Sequence, residues 1–362
     1  MTHREYWFWL CSITGIGSVS LRALLERYGT PEALWELSAE EVNGLSQLND
    51  AQKRAFQESR EEYAVRKRFD RMTMAGIEFV TLEEENYPKR ILQLYDPPGG
   101  LFYKGQLPPD SLRSTAIVGA RNCSPYGREV SRAFAKALAA AGIGIVSGLA
   151  RGVDGYAHEG ALSAGGRTYG VLGCGVDICY PRQNLELYLE MQANGGVLSE
   201  QPPGIQPIPR HFPMRNRLIA ALSDAILIVE AREKSGSLIT VDQGLELGRE
   251  IFAVPGRIND SLSQGCNELI RHGATIARSP ADLLSYPTGQ DFGETEEKAL
   301  KLPLDSSEKL VYACLDLVPK NIQGIVNQVQ LLPPVVMELL DSLELKGLIR
   351  EVSRGYYIKT GL

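Results

Sequence analysis

Small, cationic and aromatic residues gather at a few points of this chain where they could seat a phosphate and stack a base. Gly119-Ala120-Arg121-Asn122 puts a guanidinium beside a glycine, and Ser147-Gly148-Leu149-Ala150-Arg151-Gly152-Val153-Asp154 offers a hydroxyl, bare amides and a helix start within eight residues. Lys234-Ser235-Gly236-Ser237 makes a second anion pocket at a helix N-terminus. Backbone N–H groups bared at glycines and helix starts favour anions, phosphate above all. His211-Phe212-Pro213-Met214-Arg215-Asn216-Arg217 is the densest basic and aromatic cluster, with no acid between Gln201 and Asp224. Aromatic and guanidinium planes hold bases while arginine and amide groups hold the strand, which is what single-stranded nucleic acid needs. His211 is either a further stacking plane or a bystander. These features select Gly119, Arg121, Ser147, Gly148, Phe212, Arg215, Asn216, Arg217, Lys234, Ser235, Gly236 and Ser237 as candidates for contacting phosphates and bases. Asp154 is read as a helix cap alone.

Chemistry other than binding finds little support. Ser147, Ser235 and Ser237 have no His and Asp partners by motif, and no two histidines stand at metal-ligand spacing. The Gly119 corner lacks the third glycine of a dinucleotide fingerprint, and Lys234 lies outside any G-x-x-x-x-G-K-[ST] pattern. No catalytic residue, metal or cofactor is expected.

The elements that must position these residues follow from the apolar pattern. Short apolar runs at Ala116-Ile117-Val118, residues 143–146, Val171-Leu172, residues 225–229 and residues 251–254 read as strands, each ending at one of the small-residue corners. Helical spacing between them, as in Val130, Phe134, Leu138 and Ala141, completes the βαβ rhythm of a doubly wound parallel sheet. In such sheets ligands bind at the carboxyl ends of the strands, so the five corners are expected to converge on one crevice. This α/β core is placed at residues 108–285. Residues 1–65 read as a small helical domain in which Gly15-Ile16-Gly17 is either a phosphate-holding helix-hairpin-helix turn or a packing turn. Residues 66–107 are read as a connector and the acidic residues 286–305 as a linker. Residues 306–362 show three helices and a β-wing, a winged-helix-like order. Its presumed recognition helix carries Glu338, Asp341 and Glu344, which repel a duplex and favour protein contact or a purely structural role.

Whole-chain properties set limits. The 362 residues carry a formal charge of −6, so phosphate contact must come from local clusters. The six cysteines show no C-x-x-C spacing and suggest reduced thiols. The apolar runs are far below the roughly 20 residues needed to span a bilayer, and a cytoplasmic location is expected.

Five ordered motifs carry a family resemblance: residues 117–121 with Tyr126-Gly127, residues 147–154, residues 212–219, residues 234–240 and residues 253–256. Together they resemble the DNA-processing protein A family. The resemblance implies an extended Rossmann-like core that binds single-stranded DNA without cutting it, and a homodimer that loads RecA onto strands taken up in natural transformation. Single-strand-binding protein would be displaced or accommodated. It also implies a dimer surface near Asn267, Leu269 and Ile270. Two rivals remain: a nucleotide phosphoribohydrolase on a related scaffold, in which Thr240 would stand where the catalytic glutamate belongs, and a nucleotide-sensing module.

Overall fold

The computed structural model describes residues 1–285, 304–316 and 319–360; the expected linker at 286–305 lies, apart from its last two residues, outside them. Six helices open the chain: α1 (His3–Cys11), α2 (Ser18–Tyr28), α3 (Pro31–Trp35), α4 (Ala39–Asn43), α5 (Asp50–Glu58) and α6 (Glu62–Met74). A nine-stranded sheet follows, built from β1 (Glu78–Thr81), β2 (Gly100–Gly105), β3 (Ser114–Val118), β4 (Gly144–Ser147), β5 (Thr168–Val171), β6 (Gly195–Ser199), β7 (Ala225–Ile228), β8 (Glu250–Ala253) and β9 (Thr275–Ile276). Its helices are α7 (Pro125–Ala140), α8 (Val153–Ser163), α9 (Leu185–Ala193), α10 (His211–Ala221), α11 (Leu238–Glu246), α12 (Gln264–Arg271) and α13 (Pro280–Leu284).

The strand order is β1-β2-β6-β5-β4-β3-β7-β8-β9. From β6 to β9 every neighbouring pair is parallel, whereas β2 and β1 are antiparallel additions. Strands alternate their side chains between two faces, and both faces are covered. Ile117, Ile145 and Leu227 pack with Val130, Phe134 and Leu138 of α7 on one side. Val118, Val146 and Ile228 pack with Leu218 and Ile219 of α10 on the other. The sheet is therefore the doubly wound α/β core expected from its rhythm. Helix α7 shows how local signals fix an element: Ser124 caps it through the Gly127 amide at 3.1 Å, Pro125 starts it, and Gly142 at φ +81° stands just past its end.

Residues 66–107, read as a connector, hold the larger part of α6, which the expected boundary at residue 65 cuts, and the antiparallel strands β1 and β2. Those strands dock the N-terminal helices: Phe8 of α1 meets Phe79 of β1 and Phe102 of β2 edge-on at 6.0 and 6.1 Å. Trp9 packs between Trp35 and Phe56 at 4.9 and 5.2 Å. Four consecutive buried residues of α1, Trp7 to Leu10, thus serve the helical bundle and the sheet edge together.

At the C-terminal end, α14 (Ser306–Cys314), α15 (Ile322–Val329) and α16 (Pro333–Leu345) pack around Val311, Ile325 and Leu340 beside a sheet of β10 (Lys320–Asn321), β11 (Ile349–Ser353) and β12 (Tyr356–Lys359), ordered β10-β12-β11. Among the described residues no helix is long and apolar enough to cross a membrane. All six cysteines are free, and burial pushes the Cys11 thiol up to about 12.

Candidate nucleic-acid interface

The chain leaves β3 toward β4, β5 and β6, then returns to β7 on the other side of β3. That reversal is the point where open α/β sheets bind ligands. A crevice of about 520 Å³ lies here, lined by the corners after β3, β4 and β7 and by the first turns of α10. Three helices that begin at these loops, α8, α10 and α11, have no side-chain hydrogen bond at their N-caps, unlike α7. The first amide of each donates to a backbone carbonyl (Val153 to Ala120, His211 to Ile208, Leu238 to Ser235), no side chain caps the turn, and the helix dipoles favour an anion there.

Arg121, exposed at the end of β3, lies over the Phe212 ring at 5.2 Å, and Phe212 stacks on Tyr180 at 5.7 Å with ring planes 33° apart. Guanidinium, ring and ring form a continuous platform on one wall. Across it Ser235, Gly236 and Ser237 line the other wall, the two serine hydroxyls 2.8 Å apart. Asn216, half-buried on α10, ties the walls together by donating from Nδ2 to the Gly236 carbonyl at 3.3 Å. Gly119 also lines the crevice; a Cβ there would stand 2.8 Å from Val153 and 2.9 Å from the Glu230 carbonyl, so its role is close packing. Lys234 is exposed on the same turn but outside the lining.

Four of the candidate residues lie beneath the surface instead. Ser147 is fully buried and its Oγ donates to the Ile117 carbonyl at 2.6 Å. The Gly148 amide donates to Asp154 Oδ2 at 3.0 Å, and a Cβ on Gly148 would meet the Arg215 guanidinium at 2.3 Å. Arg215 is 4% exposed, faces Asp154, and donates from Nη1 to the Val171 carbonyl. Burial lowers its pKa to about 10, with Asp154 opposing the shift. Asp154, read from the sequence as a helix cap, is not one: the N-cap of α8 is Gly152, and Asp154, inside the first turn, accepts from the Gly148 amide and faces Arg215, while burial raises its pKa. Nearby His158 is fully buried, donor or acceptor to Thr168 Oγ1 at 2.6 Å, with its pKa lowered to about 3 by burial and by Arg215. Arg217 points away from the crevice, at 2.5 Å from Glu200 Oε2, 3.6 Å from Asp96 and 3.2 Å from the Ser18 hydroxyl. It fastens the N-terminal helices to the core.

The geometry therefore brings Gly119, Arg121, Phe212, Asn216 and Ser235 to Ser237 together at the surface, sets Arg215 in the floor of the same crevice, and turns Ser147, Gly148 and Arg217 inward. Sequence reasoning missed Tyr180, whose signal is an aromatic side chain soon after the Gly173-Cys174-Gly175 corner. On α12, Asn267 clamps Gly256 through two hydrogen bonds of 3.1 Å, while Leu269 and Ile270 pack half-buried against the core. Among the described residues no three His, Cys, Asp or Glu side chains cluster as metal ligands.

Comparison with known proteins agrees with this architecture. The family model described as DNA recombination-mediator protein A matches residues 78–287. The DNA processing protein DprA of Bacillus subtilis is 44% identical over 209 residues, covering 58% of this chain and 70% of that protein. Protein Smf of Escherichia coli is 37% identical over 288 residues, 76% of each. The crystal structure of DNA processing protein A from Streptococcus pneumoniae superposes with a TM-score of 0.69 at 34% identity, covering 79% of this chain and 99% of that one. The Helicobacter pylori protein, whose structure describes a single-stranded DNA binding mode, gives 0.52 at 36% identity, covering 57% and 94%. On its sequence, its sheet order and these relatives, the chain belongs to the DNA recombination-mediator protein A family.

Proposed function

We propose that this protein is a recombination mediator that binds single-stranded DNA in the crevice at the β3–β7 switch point. The observation that carries the reading is the Arg121–Phe212–Tyr180 platform beside helix N-termini that have no side-chain caps. Bases stack on the platform, and phosphates sit on the first-turn amides and near Lys234. Binding is sequence-tolerant because stacking accepts every base. The strand is held without being cut, protected, and handed to RecA during natural transformation, with single-strand-binding protein displaced or accommodated. The protein works in the cytoplasm as a homodimer whose surface lies near Asn267, Leu269 and Ile270. The C-terminal unit, winged-helix-like in its order of elements, contacts protein rather than DNA, because exposed Glu338, Asp341 and Glu344 on α16 repel phosphates.

The test is fluorescence anisotropy of a labelled oligonucleotide, single-stranded and duplex, at two salt concentrations, followed by a RecA-loading assay on strands coated with single-strand-binding protein. Preference for the single strand with affinity falling as salt rises supports the reading. Indifference to DNA, or release of free base from nucleoside monophosphates, would turn the assignment toward a nucleotide-processing protein.

A further inference from the structure

Residues 205–214 form a wall with two working faces. Pro207, Pro209, Phe212 and Pro213 line the crevice, while Gln206, Ile208, Arg210, His211 and Met214 line a second hollow on the far side. This hollow, about 290 Å³, is closed by residues 11–18 and Leu21 of the helical bundle and by residues 200–202 after β6. Gly15-Ile16-Gly17, read from the sequence as a phosphate-holding or packing turn, is part of its helical-bundle wall, and the remainder comes from residues 98–100 and from within 200–214.

Its wall holds unmet hydrogen-bonding capacity. Ser12 Oγ, Glu200 Oε1 and His211 Nδ1 are buried without a partner, and Ser12 and His211 are only 8% and 9% exposed. Leaving such groups unpaired is costly, which is a reason to ask what pairs them. Glu200 gives one oxygen to Arg217 and keeps the other as an acceptor. Burial lowers the pKa of His211, so its ring stays neutral and presents an accepting nitrogen at neutral pH. The rest of the lining includes Ile16, Leu21, Ile205, Ile208 and Met214, which suit a flat apolar face. The carboxylates of Glu200 and nearby Asp96 disfavour a phosphate inside. At the mouth Gly17 begins α2 with no side-chain cap and with open space where a Cβ would project.

An apolar-faced plane with hydrogen-bond donors on its edge is an amino-bearing nucleobase, and a carboxylate is the acceptor that suits the exocyclic amine of cytosine. We propose that this hollow receives one amino-bearing base, cytosine before all, from a strand lying in the crevice and crossing the wall at residues 205–214. Thymine has no such amine and is accepted poorly. The inference rests on the crevice being the DNA site, and adds to it a base preference at a single register.

Competition binding tests it, with a thymine tract and the same tract carrying one cytosine walked along its length. One register is expected to bind roughly tenfold more tightly than the plain tract. Thr14→Trp and Thr14→Phe, at an exposed lining position on the wall opposite residues 205–214, are expected to abolish that preference and leave affinity for the plain tract unchanged. Absence of any preferred register, or a preference that survives in both variants, overturns the proposal. So does binding of free deoxycytidine monophosphate, lost in the variants, with no preferred register in the strand. Failure to bind even the plain tract would overturn the parent reading, and this one with it.

Discussion

After β4 the chain turns through Ser147 and Gly148, and after β7 through Ser235, Gly236 and Ser237, two corners of similar composition at the same end of one sheet. At the first, every polar group is consumed inside: hydroxyl to Ile117, amide to Asp154, with the Arg215 guanidinium pressed against Gly148. At the second, the groups line open space and touch mainly each other. The contrast extends to the arginines, since Arg217 is buried against the Glu200 carboxylate and Arg215 is buried on the Val171 carbonyl, while Arg121 is exposed on an aromatic ring. Residue type does not decide between scaffold and contact surface; the partners supplied by distant elements do.

The floor and the rim of the crevice are thus expected to fail in different ways. Arg215→Ala should cause the largest change: it empties the space against Gly148, leaves the Val171 carbonyl without its donor and removes the cation that faces buried Asp154, and a loss of more than about 2 kcal/mol of stability follows. The urea midpoint reads this, and a loss below about 0.5 kcal/mol would move Arg215 to the rim class.

His158 tests the floor by pH. Its folded pKa, near 3, lies below the ordinary imidazole value of 6.5 that applies when unfolded. The unfolded chain therefore takes up a proton first, so the stabilisation is complete above pH 6.5 and is lost as pH falls toward 3. The slope from this residue approaches about 1.4 kcal/mol per pH unit inside that window. His158→Gln should flatten the stability profile there by up to one proton; an unchanged slope would contradict the burial argument.

Rim variants should change affinity and little else. Arg121→Ala is expected to weaken single-strand binding by about 1–2 kcal/mol, and its midpoint should stay within about 0.5 kcal/mol of wild type. Lys234→Ala should have the smallest effect, reducing affinity by less than about 1 kcal/mol and the salt slope by about one. An unchanged slope would remove Lys234 from the phosphate path.

Much of the fold was legible in the sequence, because β3, β4, β7 and β8 are apolar runs that end at small-residue corners. Strand β6 is absent from the runs read as strands, because only Val197-Leu198 is left apolar after Gly195-Gly196. In the sheet, Cβ atoms there would meet the Thr168 carbonyl at 2.0 Å and the Gln106 carbonyl at 2.3 Å, so glycine is needed inside a strand. β1 was hidden because it has only four residues, and β2, although six long, because it begins and ends in Gly directly after Pro97-Pro98-Gly99. Within the site, Arg121 and Phe212 were legible from a strand end and an aromatic-basic cluster. The burial of Arg215 and Arg217 was not, because it is set by Asp154 and Glu200, 61 and 17 residues earlier in the chain, which only the tertiary fold brings near.

The most direct measurement is an anisotropy titration of a single-stranded oligonucleotide against the Arg121→Ala/Phe212→Ala double variant, with its urea midpoint determined alongside. The account predicts a folded protein whose single-strand affinity falls at least about tenfold. A folded double variant that binds as tightly as wild type would contradict it, and would place the DNA elsewhere on the molecule.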